Sequence, residues 1–273
     1  MYKEFWRLTA EPFENTPDLR FFFESRNHEE AASRLQYLVG ERKACGVLTG
    51  VYGCGKTLLL HSLAKTMGAE GNVFSTVTNP RLDELGMIRM ILHGFTKAEV
   101  PAGKADVLME LEKFISGVAE DGKHSVVIID EAHAIENDKV FEELRLLLNL
   151  QTEQRSLVTL ILAGQSELKP RVEANKQFNQ RVNLRFHLGP FQPDETKAYI
   201  EHRLRVAGAG AASTIFPPEV LELVHRLSGG IPRWINQICH LSLMVGFSRG
   251  ARVVTPEIVQ EAIRDMVGSP SPR

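Results

Sequence analysis

The sequence predicts an α/β protein in which a parallel sheet is flanked by helices and followed by an all-helical domain. Between residues 28 and 191, short apolar runs alternate with segments of helical periodicity, as in chains built from strand–helix–strand units. The apolar runs are continuous rather than alternating, which is typical of parallel strands buried on both faces. After residue 191, four helical patterns follow without a strand pattern. We therefore expect a core domain at 28–191 and a helical domain at 192–267.

The segments at the two ends of the chain lie outside this scheme. Residues 1–27 are rich in aromatic residues and prolines, and we expect their rings to pack on the core domain. The alternative is that they cover a ligand or a partner surface. Residues 268–273, Gly-Ser-Pro-Ser-Pro-Arg, are expected to form a disordered tail.

The individual elements follow from periodicity and from turn residues. An amphipathic helix is expected at 28–40, and helix 105–119 should bury Leu108, Leu111 and Ile115. The predicted strands are 45–49, 73–77, 125–129, 157–163 and 184–188. The other predicted helices are 56–67, 82–92, 141–150, 194–206, 218–227, 233–247 and 256–266.

Composition narrows the class of protein. The formal net charge is −2, so a strongly basic nucleic-acid surface is not indicated. Three scattered cysteines form neither a disulfide framework nor a zinc motif. The longest apolar run is far short of the ~20 residues that a membrane-spanning helix needs, and the first residues do not resemble a signal peptide. We therefore expect a cytoplasmic chain that reaches a membrane only through a partner.

One glycine-rich loop carries the chemistry. It follows the first predicted strand, opens the next helix and fits the pattern G-x-x-x-x-G-K-[ST]. In such a loop the backbone N–H groups and the helix N-terminus bind phosphate oxygens. Lys56 should reach the β- and γ-phosphates, and the Thr57 hydroxyl should bind Mg²⁺. The expected phosphate-binding residues are Gly50, Val51, Tyr52, Gly53, Cys54, Gly55, Lys56, Thr57 and Leu58.

A second motif ends the strand at 125–129. The apolar run delivers Asp130 and Glu131 to the edge of the sheet where ligands of parallel α/β sheets bind. Asp130 is expected to hold Mg²⁺ through water, and Glu131 to orient or deprotonate the attacking water. The guanine-reading Asn-Lys-x-Asp pattern is absent, since Asn175-Lys176 is followed by Gln-Phe. ATP is therefore the expected nucleotide. No role is assigned to His133.

These residues resemble the AAA+ superfamily and, more closely, the general secretion pathway protein A (ExeA-type) ATPases. The resemblance covers nearly the whole chain, and its N-terminal pattern is the specific part. The matching positions are Met1-Tyr2, Phe5, Leu8, Pro12-Phe13, Thr16-Pro17-Asp18, Phe22, Ser25, His28, Glu30-Ala31, Leu48 to Thr57, Ile129 to His133, Leu144-Arg145, Leu147 to Asn149, Gly164 to Leu168, Arg181, Leu188, Gly230, Pro232-Arg233 and Asn236.

The sequence departs from the family pattern at two of these regions. Arg7 stands where the family usually has glycine, and Cys54 stands where it usually has a small hydroxyl residue. Cys54 is interpreted as a tolerated small residue, with oxidation in the loop as the alternative. The commoner family architecture adds a transmembrane helix and a peptidoglycan-binding part. This sequence contains neither, so no direct peptidoglycan role is expected of it.

The resemblance implies roles for three further residues. Gln165, after the fourth strand, resembles sensor 1, which contacts the γ-phosphate and the attacking water; a strand-end glutamine in a turn is the alternative. Arg181 resembles the arginine finger given to a neighbouring subunit, with Arg185 as competitor and a plain surface arginine as alternative. Arg233 resembles sensor 2 in the helical domain, or lid. Together they imply a homo-oligomeric ring or filament.

Three functions follow as alternatives. The first is an ATPase whose nucleotide-dependent oligomerisation helps to assemble a secretion, pilus or polysaccharide-export apparatus at the inner membrane. The second is a DNA-binding regulator like the target-selection ATPases of transposition, to which the lid arginines Arg203, Arg205, Arg249 and Arg252 would contribute. The third is a scaffold that binds ATP with little turnover, against which Glu131 and Arg181 argue.

Overall fold

The computed structural model describes residues 2–153, 155–210 and 214–267. These residues form two compact units. The sheet unit comprises residues 26–52 and 56–188, and the helical unit comprises the described residues of 1–25, 53–55 and 189–267. The disordered tail predicted at 268–273 lies outside the described residues.

The sheet unit contains a parallel sheet whose strand order is β2-β3-β4-β1-β5. The three middle strands are buried along their whole length, as their continuous apolar sequences predict. The edge strand β5 alternates between half-buried and exposed residues and is therefore only partly covered. The strands are β1 (Cys45–Gly50), β2 (Val73–Val77), β3 (Ser125–Ile129), β4 (Val158–Gly164) and β5 (Val182–Leu188).

Helices connect these strands and cover the sheet. Asp83 caps one of them by accepting the Gly86 N–H, and Asn137 caps another by accepting the Lys139 N–H. Helix α5 buries Val107, Leu111 and Ile115, whereas Leu108 is exposed. The prediction that Leu108 lies on the buried face is therefore wrong, because its neighbour Val107 takes that place. The helices are α2 (Arg26–Gly40), α3 (Lys56–Ala69), α4 (Glu84–Thr96), α5 (Lys104–Glu120), α6 (Asp138–Leu147), α7 (Leu168–Ala174) and α8 (Lys176–Asn179).

The helical unit is formed by the two ends of the described chain. Proline is the first residue of four of its helices, where no intrahelical N–H bond is lost. Gly229 ends α10 with a left-handed backbone, φ 59°, which glycine adopts without strain. Its α-helices are α1 (Tyr2–Trp6), α9 (Pro193–Val206), α10 (Pro218–Ser228), α11 (Pro232–Ser248) and α12 (Pro256–Val267). The prediction of a parallel sheet with flanking helices and a C-terminal helical region is confirmed.

The aromatic N-terminal segment packs within the helical unit. Trp6, Phe13 and Phe21 are buried in one apolar cluster with residues of α9 to α12, and Trp6 Nε1 donates to the Leu243 carbonyl at 3.0 Å. The rings that were expected on the core domain thus lie in the apolar cluster of the helical unit. A small four-helix set has little interior of its own, so added rings complete its core. Periodicity along the chain does not reveal which distant domain receives a segment.

A buried arginine fixes this segment to α9. Arg203 is 5% exposed and donates to the backbone carbonyls of Pro12 and Glu14 and to the Tyr199 hydroxyl. Its guanidinium also lies over the rings of Phe21 and Tyr199, at 4.9 and 5.6 Å from their centroids. These contacts satisfy a buried charge by hydrogen bonds and ring faces, and no carboxylate in the described part of the chain forms an ion pair with it.

Among the described residues, no helix combines the length and the apolarity that crossing a bilayer requires.

Candidate nucleotide site

Three neighbouring strands bring the predicted motifs to one edge of the sheet. The strands β3, β4 and β1 are adjacent and parallel, so their carboxyl ends lie side by side. Asp130 and Glu131 follow β3, Gln165 follows β4, and the glycine-rich loop follows β1. The register pairs Thr49 with Gly164 at this edge. Residues more than a hundred positions apart are thereby brought into one site.

The glycine-rich loop has the backbone that a phosphate-binding loop requires. Gly53 and Gly55 have φ values of 83° and 99°, a left-handed region in which other residues are strained. The Lys56 ammonium is nearly buried and donates to the carbonyls of Gly50 and Val51, at 2.8 and 3.0 Å. These bonds hold the lysine folded along its own loop, at the start of α3. Leu58 is half-buried in the first turn of that helix.

The expected metal ligands are in direct contact. The Thr57 hydroxyl donates to Asp130 Oδ2 at 2.5 Å, and the other oxygen, Oδ1, accepts the Glu131 backbone N–H at 2.8 Å. A hydroxyl and a carboxylate are the hard oxygen ligands that Mg²⁺ prefers. The residues present therefore fit Mg²⁺, with Thr57 and Asp130 as the groups that would hold it.

Glu131 has an unusual backbone. Its φ of 52° and ψ of 30° are left-handed, a conformation that glutamate adopts rarely and at an energetic cost. The side chain is 38% exposed, so the carboxylate is accessible to water. Strain at a strand end, beside Asp130, is a feature of functional sites.

His133 is the site residue that the sequence analysis missed. Its Nδ1 lies 3.4 Å from a Glu131 carboxylate oxygen and accepts the Gln165 backbone N–H at 3.3 Å. Its Nε2 lies 3.1 Å from the Gln165 side-chain amide. The signal was present in Asp-Glu-Ala-His, but only the 3₁₀ turn at Ala132–Ala134 folds the ring back toward Glu131 and β4.

The predicted arginine fingers lie at and just before the edge strand. Arg181 precedes β5 and donates to Asn149 Oδ1 at 2.7 Å. Arg185 lies within β5 and donates to Asn179 Oδ1 at 2.5 Å. Each is therefore tied to an asparagine of its own unit, and neither joins the cluster around Asp130.

Arg233 belongs to the helical unit, as do Gly53 to Gly55. Within that unit its backbone N–H donates to the Gly53 carbonyl at 3.3 Å. A side chain at Gly53 would meet the Arg233 Cβ at 2.6 Å, so this contact requires glycine. Arg233 is thus adjacent to the middle of the glycine-rich loop, in the second residue of α11.

Cys54 and Tyr52 differ in exposure. The Cys54 side chain is fully buried, so it lacks the solvent access on which thiol oxidation depends. This favours the interpretation of Cys54 as a small structural residue. Tyr52 is 53% exposed at the tip of the loop.

The chain is similar in sequence to known proteins. The family model described as an AAA domain matches residues 39–172. General secretion pathway protein A of Aeromonas hydrophila is 34% identical over 273 residues, covering 98% of this chain and 49% of the relative. The uncharacterized HTH-type transcriptional regulator MJ0774 of Methanocaldococcus jannaschii is 22% identical and covers 67% of this chain and 45% of the relative. The chain spans about half the length of these curated relatives.

Solved structures share the fold. The structure of Drosophila ORC bound to DNA superposes with a TM-score of 0.74 at 18% identity, covering 98% of this chain and 66% of that one. Aeropyrum pernix ORC2 gives 0.70 at 16% identity, covering 94% and 71%. The Thermotoga maritima RuvB branch migration motor gives 0.57 at 20%, covering 89% and 70%. At these identities the likeness concerns the fold alone. With its parallel sheet, glycine-rich loop and AAA-domain match, the chain belongs to the AAA+ ATPases and is related along 98% of its length to general secretion pathway protein A.

Proposed function

We propose that the chain binds and hydrolyses ATP with Mg²⁺ at the edge formed by β1, β4 and β3. The observation that carries this proposal is the Thr57–Asp130 hydrogen bond at 2.5 Å beside the accessible Glu131 carboxylate. Mg²⁺, held by Thr57 and Asp130, would offset the charge of the β- and γ-phosphates.

Each step of the proposed reaction is assigned to particular residues of the chain. The loop N–H groups bind the phosphates, and Lys56 exchanges its bonds to the Gly50 and Val51 carbonyls for phosphate oxygens. Glu131 accepts the proton of the attacking water, and Gln165 orients that water against the γ-phosphate. Arg233, whose backbone N–H donates to the Gly53 carbonyl of the loop, is proposed as the sensor 2 residue.

We further propose that hydrolysis is completed in an oligomer. Arg181 acts on the nucleotide of a neighbouring subunit, and stabilising the developing charge in this way is worth about 10³–10⁵ in rate in related systems. Arg185, on the edge strand, is the competing finger. The bond from Arg181 to Asn149 would then be a resting contact that the interface replaces.

The proposed role in secretion is based on the similarity to general secretion pathway protein A. Because 98% of this chain aligns with general secretion pathway protein A, we propose that ATP-dependent oligomerisation serves to assemble a secretion, pilus or polysaccharide-export apparatus. The chain would act at the cytoplasmic face of the inner membrane through a partner protein.

The DNA-binding alternative loses much of its support from the lid arginines. Arg203 is buried and committed to the N-terminal segment. Arg249 pairs with Glu261, and Arg252 donates to the Phe5 carbonyl over the Phe5 ring. Of these four arginines, only Arg205 is exposed and makes no such contact with the described residues. A salt-sensitive shift with plain duplex DNA would revive the alternative.

The catalytic proposal is tested by binding and single-turnover assays with Mg-ATP. We expect Lys56→Ala to lose ATP binding, and Glu131→Gln to keep binding while turnover falls by about 10²–10⁴. Lys65→Ala, an exposed lysine on the same helix α3, is the matched control and should behave as the parent. Undiminished binding by Lys56→Ala would refute the site.

The oligomer proposal is tested by light scattering with and without ATP. The parent should form larger particles with ATP, and the Glu131→Gln variant should hold them longer. Arg181→Ala subunits should have low turnover that rises when they are mixed with Glu131→Gln subunits. In the mixed oligomer the Glu131→Gln subunit supplies the arginine, and the Arg181→Ala subunit supplies the glutamate. A strictly monomeric, fully active parent would exclude a finger in trans.

A further inference from the structure

His133 touches both residues that the proposed reaction assigns to the attacking water. Nδ1 faces the Glu131 carboxylate at 3.4 Å and the Gln165 backbone N–H at 3.3 Å, while Nε2 faces the Gln165 side-chain amide at 3.1 Å. The ring is 19% exposed. It therefore lies between the end of β3 and the end of β4, and links the two strand ends directly.

The position of the ring is fixed from two sides. Arg171 Nη1 donates to the His133 backbone carbonyl at 2.9 Å. A Cβ added at Gly164 would lie 3.0 Å from the His133 backbone nitrogen and 3.2 Å from Nδ1, which is tighter than ordinary contact. Glycine at the end of β4 thus provides the space that the ring occupies, and the arginine holds the turn that carries it.

The chemistry of imidazole makes its contacts mutually exclusive. A neutral ring has one donor nitrogen and one acceptor nitrogen. If Nδ1 carries the proton, it donates to Glu131, and Nε2 accepts from the Gln165 amide NH₂. If Nε2 carries the proton, it donates to the Gln165 side-chain oxygen, and Nδ1 accepts the Gln165 backbone N–H.

These two arrangements have different consequences for the proposed reaction. In the first, Glu131 is held by the ring, and the Gln165 NH₂ is turned toward the ring, with one of its two N–H groups donating to Nε2. In the second, the Glu131 carboxylate is released to accept a proton from water, and the Gln165 NH₂ is directed away from the ring, where it can donate to a phosphate oxygen. One ring proton therefore decides the state of both residues together.

We propose that His133 is a positioning residue that couples Glu131 to Gln165, so that the base is released only when the glutamine amide is oriented to donate to the γ-phosphate. This inference rests on the proposed ATP hydrolysis and adds a residue to which no role was assigned. His133 acts through these two side chains and is not itself a catalytic residue.

Three substitutions at one position test the coupling. His133→Ala should lower the single-turnover rate about 10- to 100-fold, as loss of supporting contacts around reactive groups typically does, while the affinity for Mg-ATP is unchanged. His133→Gln places an amide near the Nε2 position and should recover most of the lost rate. His133→Asn reaches only the Nδ1 position and should not recover it.

A double mutant shows whether His133 and Gln165 act together or contribute independently to the rate. If His133 acts through Gln165, His133→Ala/Gln165→Ala should be no slower than Gln165→Ala alone, because the second change removes nothing further. His93→Ala, an exposed histidine of α4 in the same unit that contacts the Ala98 carbonyl, is the control for a general effect. Thermal unfolding of each variant reports on the fold.

The outcomes are distinct. A parent that binds Mg-ATP without turnover would overturn the proposed hydrolysis and this role with it. A parent that turns over, with His133→Ala as active as His93→Ala, would overturn the positioning role alone. Equal losses in all three variants, accompanied by lowered unfolding temperatures, would show a structural role and also overturn it. Rescue by glutamine but not by asparagine supports it.

Discussion

Replacing Arg203 with alanine should loosen the N-terminal segment from the helical unit. The guanidinium makes three hydrogen bonds and two ring contacts, all within that unit. A hydrogen bond involving a charged group contributes about 1.5–3 kcal/mol, and each ring contact contributes about 0.5–2 kcal/mol. Tyr199 keeps its bond to Asn236, and water can reach Glu14, which is exposed. The buried Pro12 carbonyl is the acceptor left without a donor.

The losses therefore do not add in full, and we expect unfolding of the helical unit to become easier by about 3–5 kcal/mol. Urea unfolding followed by Trp6 and Trp234 fluorescence measures this loss, and limited proteolysis should cut residues 2–25 faster in Arg203→Ala than in the parent. Arg205→Ala, exposed on the same helix, is the matched control and should change stability by less than about 0.5 kcal/mol. Equal effects of the two substitutions would refute the argument.

Other expectations follow from single contacts. Burial, with a smaller effect of Arg42, lowers the pKa of His124 to about 4. Because the unfolded chain then binds more protons than the folded chain between about pH 6.5 and 4, stability should fall by about 3 kcal/mol as the pH drops through that window. His124→Gln should flatten this pH profile of stability, measured by urea unfolding. Gly164→Ala should displace His133 and slow turnover without weakening ATP binding, as single-turnover and equilibrium binding assays would reveal. Trp6→Phe loses one bond and should cost about 1 kcal/mol in urea unfolding.

The sheet and its motif positions could be predicted because both depend on local pattern. Continuous apolar runs identify buried parallel strands, and the fixed spacing of the glycine-rich loop identifies the strand–loop–helix junction at Lys56. The weakest strand was predicted two residues short, since β5 (Val182–Leu188) is an edge strand with exposed side chains and little apolar signal. Adjacent strand ends then follow from topology, which places Asp130 beside Thr57.

What sequence could not supply was contact between distant segments. Leu108 was assigned to the buried face because it is apolar, although the phase of α5 buries Val107 instead. The aromatic residues near Trp6 indicate that this segment is buried, but the sequence does not show which surface it packs against. His133 looks like any polar residue after a strand until the 3₁₀ turn and Gly164 bring its ring against Gln165.

Contacts within the helical unit connect the N-terminal segment to α11, the helix that carries the proposed sensor 2 residue, Arg233. Arg233 lies on α11, and Asn236, one turn later, accepts the Tyr199 hydroxyl at 2.7 Å and donates to Asn15 Oδ1 at 2.9 Å. Arg203 joins Tyr199 to the same segment. The helix that carries Arg233 is therefore held by residues at the opposite end of the chain. A segment that only covered a ligand would need no buried polar network, because rings alone would exclude water. The network instead holds α11, and with it Arg233, against the N-terminal segment within the helical unit.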